Sequence, residues 1–189
     1  MLDDTALFDD SVRLLTNWVA PSQEQAELRN RTLRLLGSGP KALRREHLAG
    51  HLTASAVIIS ADRSAVLLCL HGRMNKWVQV GGHCEDTDRG LAAAALREAT
   101  EESGIVGLTI DPMPIDVDIH PVTCSAGQTE HFDVRFLVTA PPDAQEKVSH
   151  ESHELGWFAP DKLPEPLASA TGRVVDAALA RLNGRHSNS

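Results

Sequence analysis

Residues 81–105 read GGHCEDTDRGLAAAALREATEESGI, and the local chemistry of this stretch frames the rest of the chain. The Gly81 and Gly82 pair follows KWVQV and predicts a turn at the end of a strand. A loop with three acids comes next, Glu85, Asp86 and Asp88. From about Asp88 to Ser103 the residues are Ala-rich and helix-forming, and Gly104 suits the left-handed position just past a helix end. At about 100° per residue, Glu98, Glu101 and Glu102 fall within roughly a 100° sector of that helix. Ala92, Ala93, Leu96 and Thr100 mark the other side as the one expected to pack on a sheet. Carboxylates so close repel one another by about a few tenths of a kcal/mol per pair, so a cation is needed among them. Arg97 is one candidate, which would make the patch a solvated acidic face with a local ion pair. A hard divalent cation is the other, because clustered oxygens are what Mg²⁺ or Mn²⁺ requires.

Working outward, the short runs TASAVIIS, AVLLCLH and KWVQV, separated by turns at 61–64 and 72–75, predict consecutive strands before this helix. Ahead of them the pattern is helical. A first helix over 4–19 places Leu7, Leu14, Leu15 and Trp18 roughly on one side. Pro21 and Ser22 open a second, with Ser22 and Gln25 in capping-box spacing and Leu28, Leu35 and Leu36 along its face. A short basic helix over 41–47 is expected next. Beyond residue 105, strands are expected near 106–110, 115–120 and 131–138. In HFDVRFLV the alternation of Phe132, Val134 and Phe136 with His131, Asp133 and Arg135 predicts a half-buried strand. The segment LGWF precedes a final helix over about 167–182, and the tail GRHSNS is expected to be disordered.

The second half of the opening stretch carries a resemblance. Arg97, Glu98, Ala99, Glu101, Glu102, Gly104 and Ile105 fit the pattern Arg-Glu-aliphatic-x-Glu-Glu-x-Gly-aliphatic, and the sequence in this respect resembles the Nudix hydrolases. Five fixed residues at roughly 6% usage each would match somewhere in such a chain by chance on the order of once in ten thousand. The first half departs from the family signature. Five residues separate Gly82 from Asp88, which stands in place of Glu, and eight residues, not seven, separate Asp88 from Arg97. The resemblance covers about residues 51–165. It implies an α/β protein, an α/β/α sandwich with a mixed sheet, and divides the chain into an N-terminal helical extension (1–50), a Nudix domain (51–183) and a tail (184–189). The extension carries no motif; capping a substrate pocket, forming a homodimer interface and shielding a sheet edge are all open to it.

The same resemblance implies a chemistry. Glu98, Glu101 and Glu102 would hold Mg²⁺, with Mn²⁺ as an alternative, for attack of water on a small-molecule diphosphate substrate. The general base would be Glu101 or Glu102, or a late carboxylate, Glu151 or Glu154, in SHESHELGWF. His83, Arg97, Lys76 and Gly82 are candidate substrate contacts, Arg97 serving alternatively to orient a ligand carboxylate. Arg73 and Arg135 are further candidates for phosphate oxygens. Many ADP-ribose hydrolases of the family carry a Pro about sixteen positions beyond the signature, and Pro121 stands sixteen after Ile105. Dinucleoside-polyphosphate hydrolases carry a Tyr in a similar place, and the chain has no Tyr. A nucleotide sugar is therefore favoured.

Composition narrows the remaining classes. Eighteen Lys and Arg against 26 Asp and Glu give a formal charge of −8, which disfavours nucleic-acid polymer and anionic membrane as partners. The apolar runs fall far short of a membrane span, and the acidic N-terminus does not resemble a secretory signal. Three cysteines, odd in number and without a CxxC pair, indicate reduced thiols and a cytoplasmic location. The pairs His83-Cys84 and His131-x-Asp133 lack the spacing of a zinc framework, so no zinc site is expected. Two other classes stand beside the hydrolase. A catalytically silent nucleotide-binding or regulatory module would be marked by lost glutamates, which are present. Diphosphate isomerase chemistry would want a reactive Cys beside a Glu, a role for which Cys69 and Cys84 are poorly placed.

Overall fold

The run HLTASAVII forms β1 (His51–Ile59), buried at every position, and the sheet is assembled around it. In the computed structural model, which describes residues 4–124, 127–147 and 152–184, seven further strands join it: β2 (Val66–His71), β3 (Lys76–Val78), β4 (Val80–His83), β5 (Thr109–Ile110), β6 (Asp116–Cys124), β7 (Gly127–Thr139) and β8 (Ser152–Phe158). β1 runs parallel to β7 from His51↔His131 to Ile59↔Thr139. On its other edge it pairs antiparallel with β4 near its start and with β2 near its end. β6 returns antiparallel along β7, and β8 along β2. The sheet is mixed, as expected.

Because strand side chains alternate, β1 sends its residues to two cores. Leu52 and Ala54 cluster with Leu91, Ala94 and Ala95 of helix α3 (Leu91–Ser103), and also with Leu7, Leu15 and Trp18 of α1 (Asp4–Asn17) and Leu36 of α2 (Gln23–Leu36). Val57 and Ile59, on the other face, meet Val174, Val175, Ala178 and Leu182 of α4 (Thr171–Gly184). The result is an α/β/α sandwich in which the N-terminal helices share the core of α3. Gln25 is drawn into the same contact: its side chain is buried, donating to the Val117 carbonyl at 3.0 Å and accepting from the Val117 N–H at 2.7 Å. Only half of the expected capping box therefore forms. Ser22 accepts from the Gln25 N–H, while the Gln25 side chain pairs with β6.

Several expectations are corrected. Gly81 and Gly82 do not form a turn but lie within β4, opposite Ser55 and Ala54. The basic helix expected over 41–47 shortens to a single 3₁₀ turn, Pro40–Leu43. α3 packs through Leu91, Ala94, Ala95, Ala99 and Ser103; Ala93 and Thr100 are exposed. The strand predicted as half-buried is buried on both faces, because Asp133 and Arg135 are themselves inside the protein. Gly184 belongs to α4, and the rest of the expected tail lies outside the described residues. No helix of the structure is long and apolar enough to cross a membrane, among the described residues.

Candidate functional site

The glutamate face of α3 is built from three elements. Gly90, which precedes the helix, supplies no side-chain cap. Asp10 of α1 does so instead, its Oδ2 accepting from the Leu91 N–H at 3.1 Å. Gly104 closes the helix in the left-handed conformation, φ 67°, with its N–H donating to the Thr100 carbonyl. The loop between β4 and α3 is closed by Asp88, which is buried. Its Oδ2 accepts from the Glu85 N–H at 2.7 Å, and its own N–H donates to the Glu85 carbonyl at 3.0 Å.

Asp88 also anchors Arg97, which donates to it through Nε and Nη2 at 3.1 and 3.0 Å. From there the guanidinium reaches Glu98 and Glu101, each 3.0 Å from Nη1, and the His83 carbonyl, 2.9 Å from Nη2. Burial works against the charge on Arg97, but the hydrogen bonds and charges of Asp88 and Glu98 outweigh it and raise its pKa above the ordinary value. Arg97 thus bridges buried Asp88 to the carboxylates of Glu98 and Glu101 and orients them.

The other boundary of the site is backbone. Glu98 presses against Gly82 so closely that a Cβ there would lie 2.6 Å from its Oε1. The Gly81 N–H donates to Glu102 Oε2 at 3.3 Å. Gly81 adopts φ 154° and a Cβ on it would meet Ser55 Cα at 2.6 Å, so glycine is required for β1 and β4 to pair here. Glu101 is the most accessible of the three, with its side chain 58% exposed. Two carboxylates held against a bare stretch of strand, a third open to solvent and no nitrogen or sulfur donor among them suit a hard cation.

The remaining candidates are placed differently. Lys76 is exposed at the far end of β3, six residues of nearly extended chain from Gly82, or roughly 20 Å. Glu154 is exposed on β8 opposite Leu70, and Glu151 lies outside the described residues. Arg135 does not face a substrate. It is buried and donates to Asp133 at 2.7 Å, Asp116 at 3.2 Å and Asp118 at 3.0 Å. Cys84 is unsuited to thiol chemistry, since burial pushes its pKa up to about 12. His83 divides its groups: the backbone carbonyl serves Arg97, but the ring turns away from α3 and stacks on His51, centroids 5.1 Å apart. Of the residues grouped there, His51, His83, Cys124 and His131, the sequence singled out only His83 as a site residue, and the declined zinc expectation took no account of them together.

A model of the NUDIX domain matches residues 50–178. None of the curated proteins matches at a significant level. Among solved structures, an Ap4A hydrolase from C. elegans superposes with a TM-score of 0.56 at 21% identity, over 70% of this chain and 98% of that one. A NUDIX family hydrolase from Clostridium perfringens gives 0.55 at 22%, over 70% and 97%. The NUDIX domain of Shewanella oneidensis NrtR, in complex with ADP ribose, gives 0.53 at 22%, over 69% and 87%. At these identities the structural likeness speaks to the fold.

Proposed function

The chain belongs to the NUDIX domain family, and on that premise we propose that it hydrolyses a phosphoanhydride bond in a nucleoside diphosphate linked to another moiety, with Glu98, Glu101 and Glu102 holding Mg²⁺ or Mn²⁺. The observation that carries this reading is the setting of Glu98 and Glu102 against the backbone of Gly81 and Gly82, with Arg97 fixing Glu98 and Glu101 from the side. The ion, when bound, would neutralise the diphosphate and make water more acidic. That neutralisation matters in a chain of formal charge −8.

The protein's own groups supply positioning. Asp88 holds Arg97, and Arg97 fixes two carboxylates whose mutual repulsion would otherwise splay them apart. A carboxylate not engaged with the ion, Glu101 as the most accessible of the three or the late Glu154, would take the proton of the attacking water as the new bond to phosphorus forms and the bond to the bridging oxygen breaks. Pro121 after the signature and the lack of any Tyr support a nucleotide sugar of the ADP-ribose kind as the substrate. Three cysteines, odd in number and without a CxxC pair, support a cytoplasmic location.

The test is phosphate release, coupled to a phosphatase, from a panel of nucleotide sugars, dinucleotides and nucleoside triphosphates in Mg²⁺. The expected result is turnover of nucleotide sugars that stops when the ion is chelated. Binding of a nucleotide without turnover of any compound would overturn hydrolysis in favour of a sensing module.

A further inference from the structure

We propose that His51, His83, His131 and Cys124 form a tetrahedral Zn²⁺ site on the face of the sheet away from the α3 glutamates. The four residues come from β1, β4, β7 and β6, and strand register brings them together. His51 is the partner of His131 in the parallel β1–β7 ladder, and Cys124 ends β6 on the same side of the β6–β7 hairpin as His131. His83 follows Gly82, whose missing side chain would face Glu98, so the His83 ring projects to the opposite face.

The geometry is that of a coordination shell. One ligand atom from each of the four residues lies within 4.8 Å of the others, the only such group among the described residues. His83 Nε2 and His51 Nε2 are 3.2 Å apart. Cys124 Sγ is 3.5 Å from His131 Nε2 and 4.0 Å from His51 Nε2. Zinc bonds of about 2.0–2.1 Å to nitrogen and 2.3 Å to sulfur at tetrahedral angles place nitrogens roughly 3.3 Å apart and sulfur roughly 3.6 Å from nitrogen. The rings are also turned as separate ligands must be: His131 lies edge-on to both His51 and His83, at centroid distances of 4.9 and 5.0 Å.

The surroundings favour lone pairs over protons. Burial lowers the pKa of His51, holds His83 at about 4 and His131 at about 3, so the imidazoles are neutral and ready to donate to a cation. His51 is fully buried, and its Nδ1 has no hydrogen bond of ordinary geometry among the described residues, although the His47 backbone acts on the ring as a weak acceptor. Around the shell, His120 stacks edge-on to His131 at 5.5 Å and is itself held by Asp118, 2.9 Å from its Nδ1. Three imidazoles and a thiolate select a borderline ion such as Zn²⁺ over Mg²⁺, and four protein ligands make a closed, structural site. On binding, the Cys124 thiol gives its proton to solvent. The ion would tie β4, the strand that carries Gly81 and Gly82, to β1, β6 and β7.

The test uses the full chain, stripped with chelator and titrated with Co²⁺, which reports geometry spectroscopically and independently of any hydrolysis. One equivalent should give the visible bands of tetrahedral Co²⁺ and a near-ultraviolet thiolate charge-transfer band, both erased by Zn²⁺. Cys124→Ser should abolish the charge-transfer band, and it and His131→Gln should each weaken binding by roughly 100-fold. Glu98→Gln should leave the spectrum unchanged. Zn²⁺ should raise the thermal midpoint of the wild type and not of the cysteine variant. Octahedral bands alone, a spectrum that survives Cys124→Ser, one that is lost in Glu98→Gln, or no binding at all would overturn the proposal.

Discussion

Gly82 matters for what it lacks: Glu98 occupies the space its side chain would fill, and its φ is not in the left-handed region. Gly82→Ala should therefore fold with a thermal midpoint close to wild type, because the flexible Glu98 tip can yield, while kcat falls by about tenfold or more as that carboxylate moves. Steady-state kinetics beside a melting curve separates the two effects. Arg135 makes the opposite case. It is buried among Asp116, Asp118 and Asp133, with Thr53 and Ser55 also donating to Asp133. Burial opposes the charge on Asp133, and Arg135 outweighs it, holding the carboxyl below its usual range. Asp116 and Asp118 keep Arg173, but Arg135→Ala leaves the buried Asp133 carboxylate without a cation and should cost about 3–5 kcal/mol, read by urea unfolding. Cys84 provides a pH test. With its pKa pushed up to about 12, roughly one thiol in ten thousand is ionised at pH 8. Native alkylation followed by mass spectrometry should find Cys84 unmodified there, its rate rising about tenfold for each pH unit of increase.

At the scale of elements, α3 depends on α1. Its cap is a carboxylate 81 positions earlier in the chain, so Asp10→Ala should destabilise the protein by about 1 kcal/mol in denaturant unfolding. The helical spacing of Glu98, Glu101 and Glu102 was legible in the sequence because a period of 3.6 needs no tertiary information. The packed face was not. Ala92, Ala93, Ala94 and Ala95 are alike in size and apolarity, so composition could not say which turn to the sheet; Leu91, Ala94, Ala95 and Ala99 do. Glu98 and Glu102 consequently lie at the edge of the buried stripe, where Gly81 and Gly82 leave room for them. The Gly-Gly pair misled for a related reason: a residue pair that permits a turn equally permits close approach of strand to helix. The histidine group could not have been read at all, since positions 51, 83, 124 and 131 meet only through strand register.

For the molecule as a whole, α1 and α2 form one wall of the structure. Leu7, Leu15, Trp18 and Leu36 are buried in the same cluster as Leu52 and Leu91, and each buried leucine contributes roughly 1.5–3 kcal/mol. Their sum is comparable with the roughly 5–15 kcal/mol that holds a domain together. Deleting residues 1–50 should yield a chain without a cooperative melt, seen by calorimetry, and not a smaller active domain. The sequence marked the helices but not their docking, because Gln25 reaches β6 across 92 positions. The proposed role of the α3 carboxylates beside the Gly81–Gly82 strand is tested by kcat for Glu98→Gln beside wild type on the best nucleotide sugar in saturating Mg²⁺. The variant should lose about 100-fold or more in kcat with the thermal midpoint little changed. Wild-type turnover by the variant would contradict it.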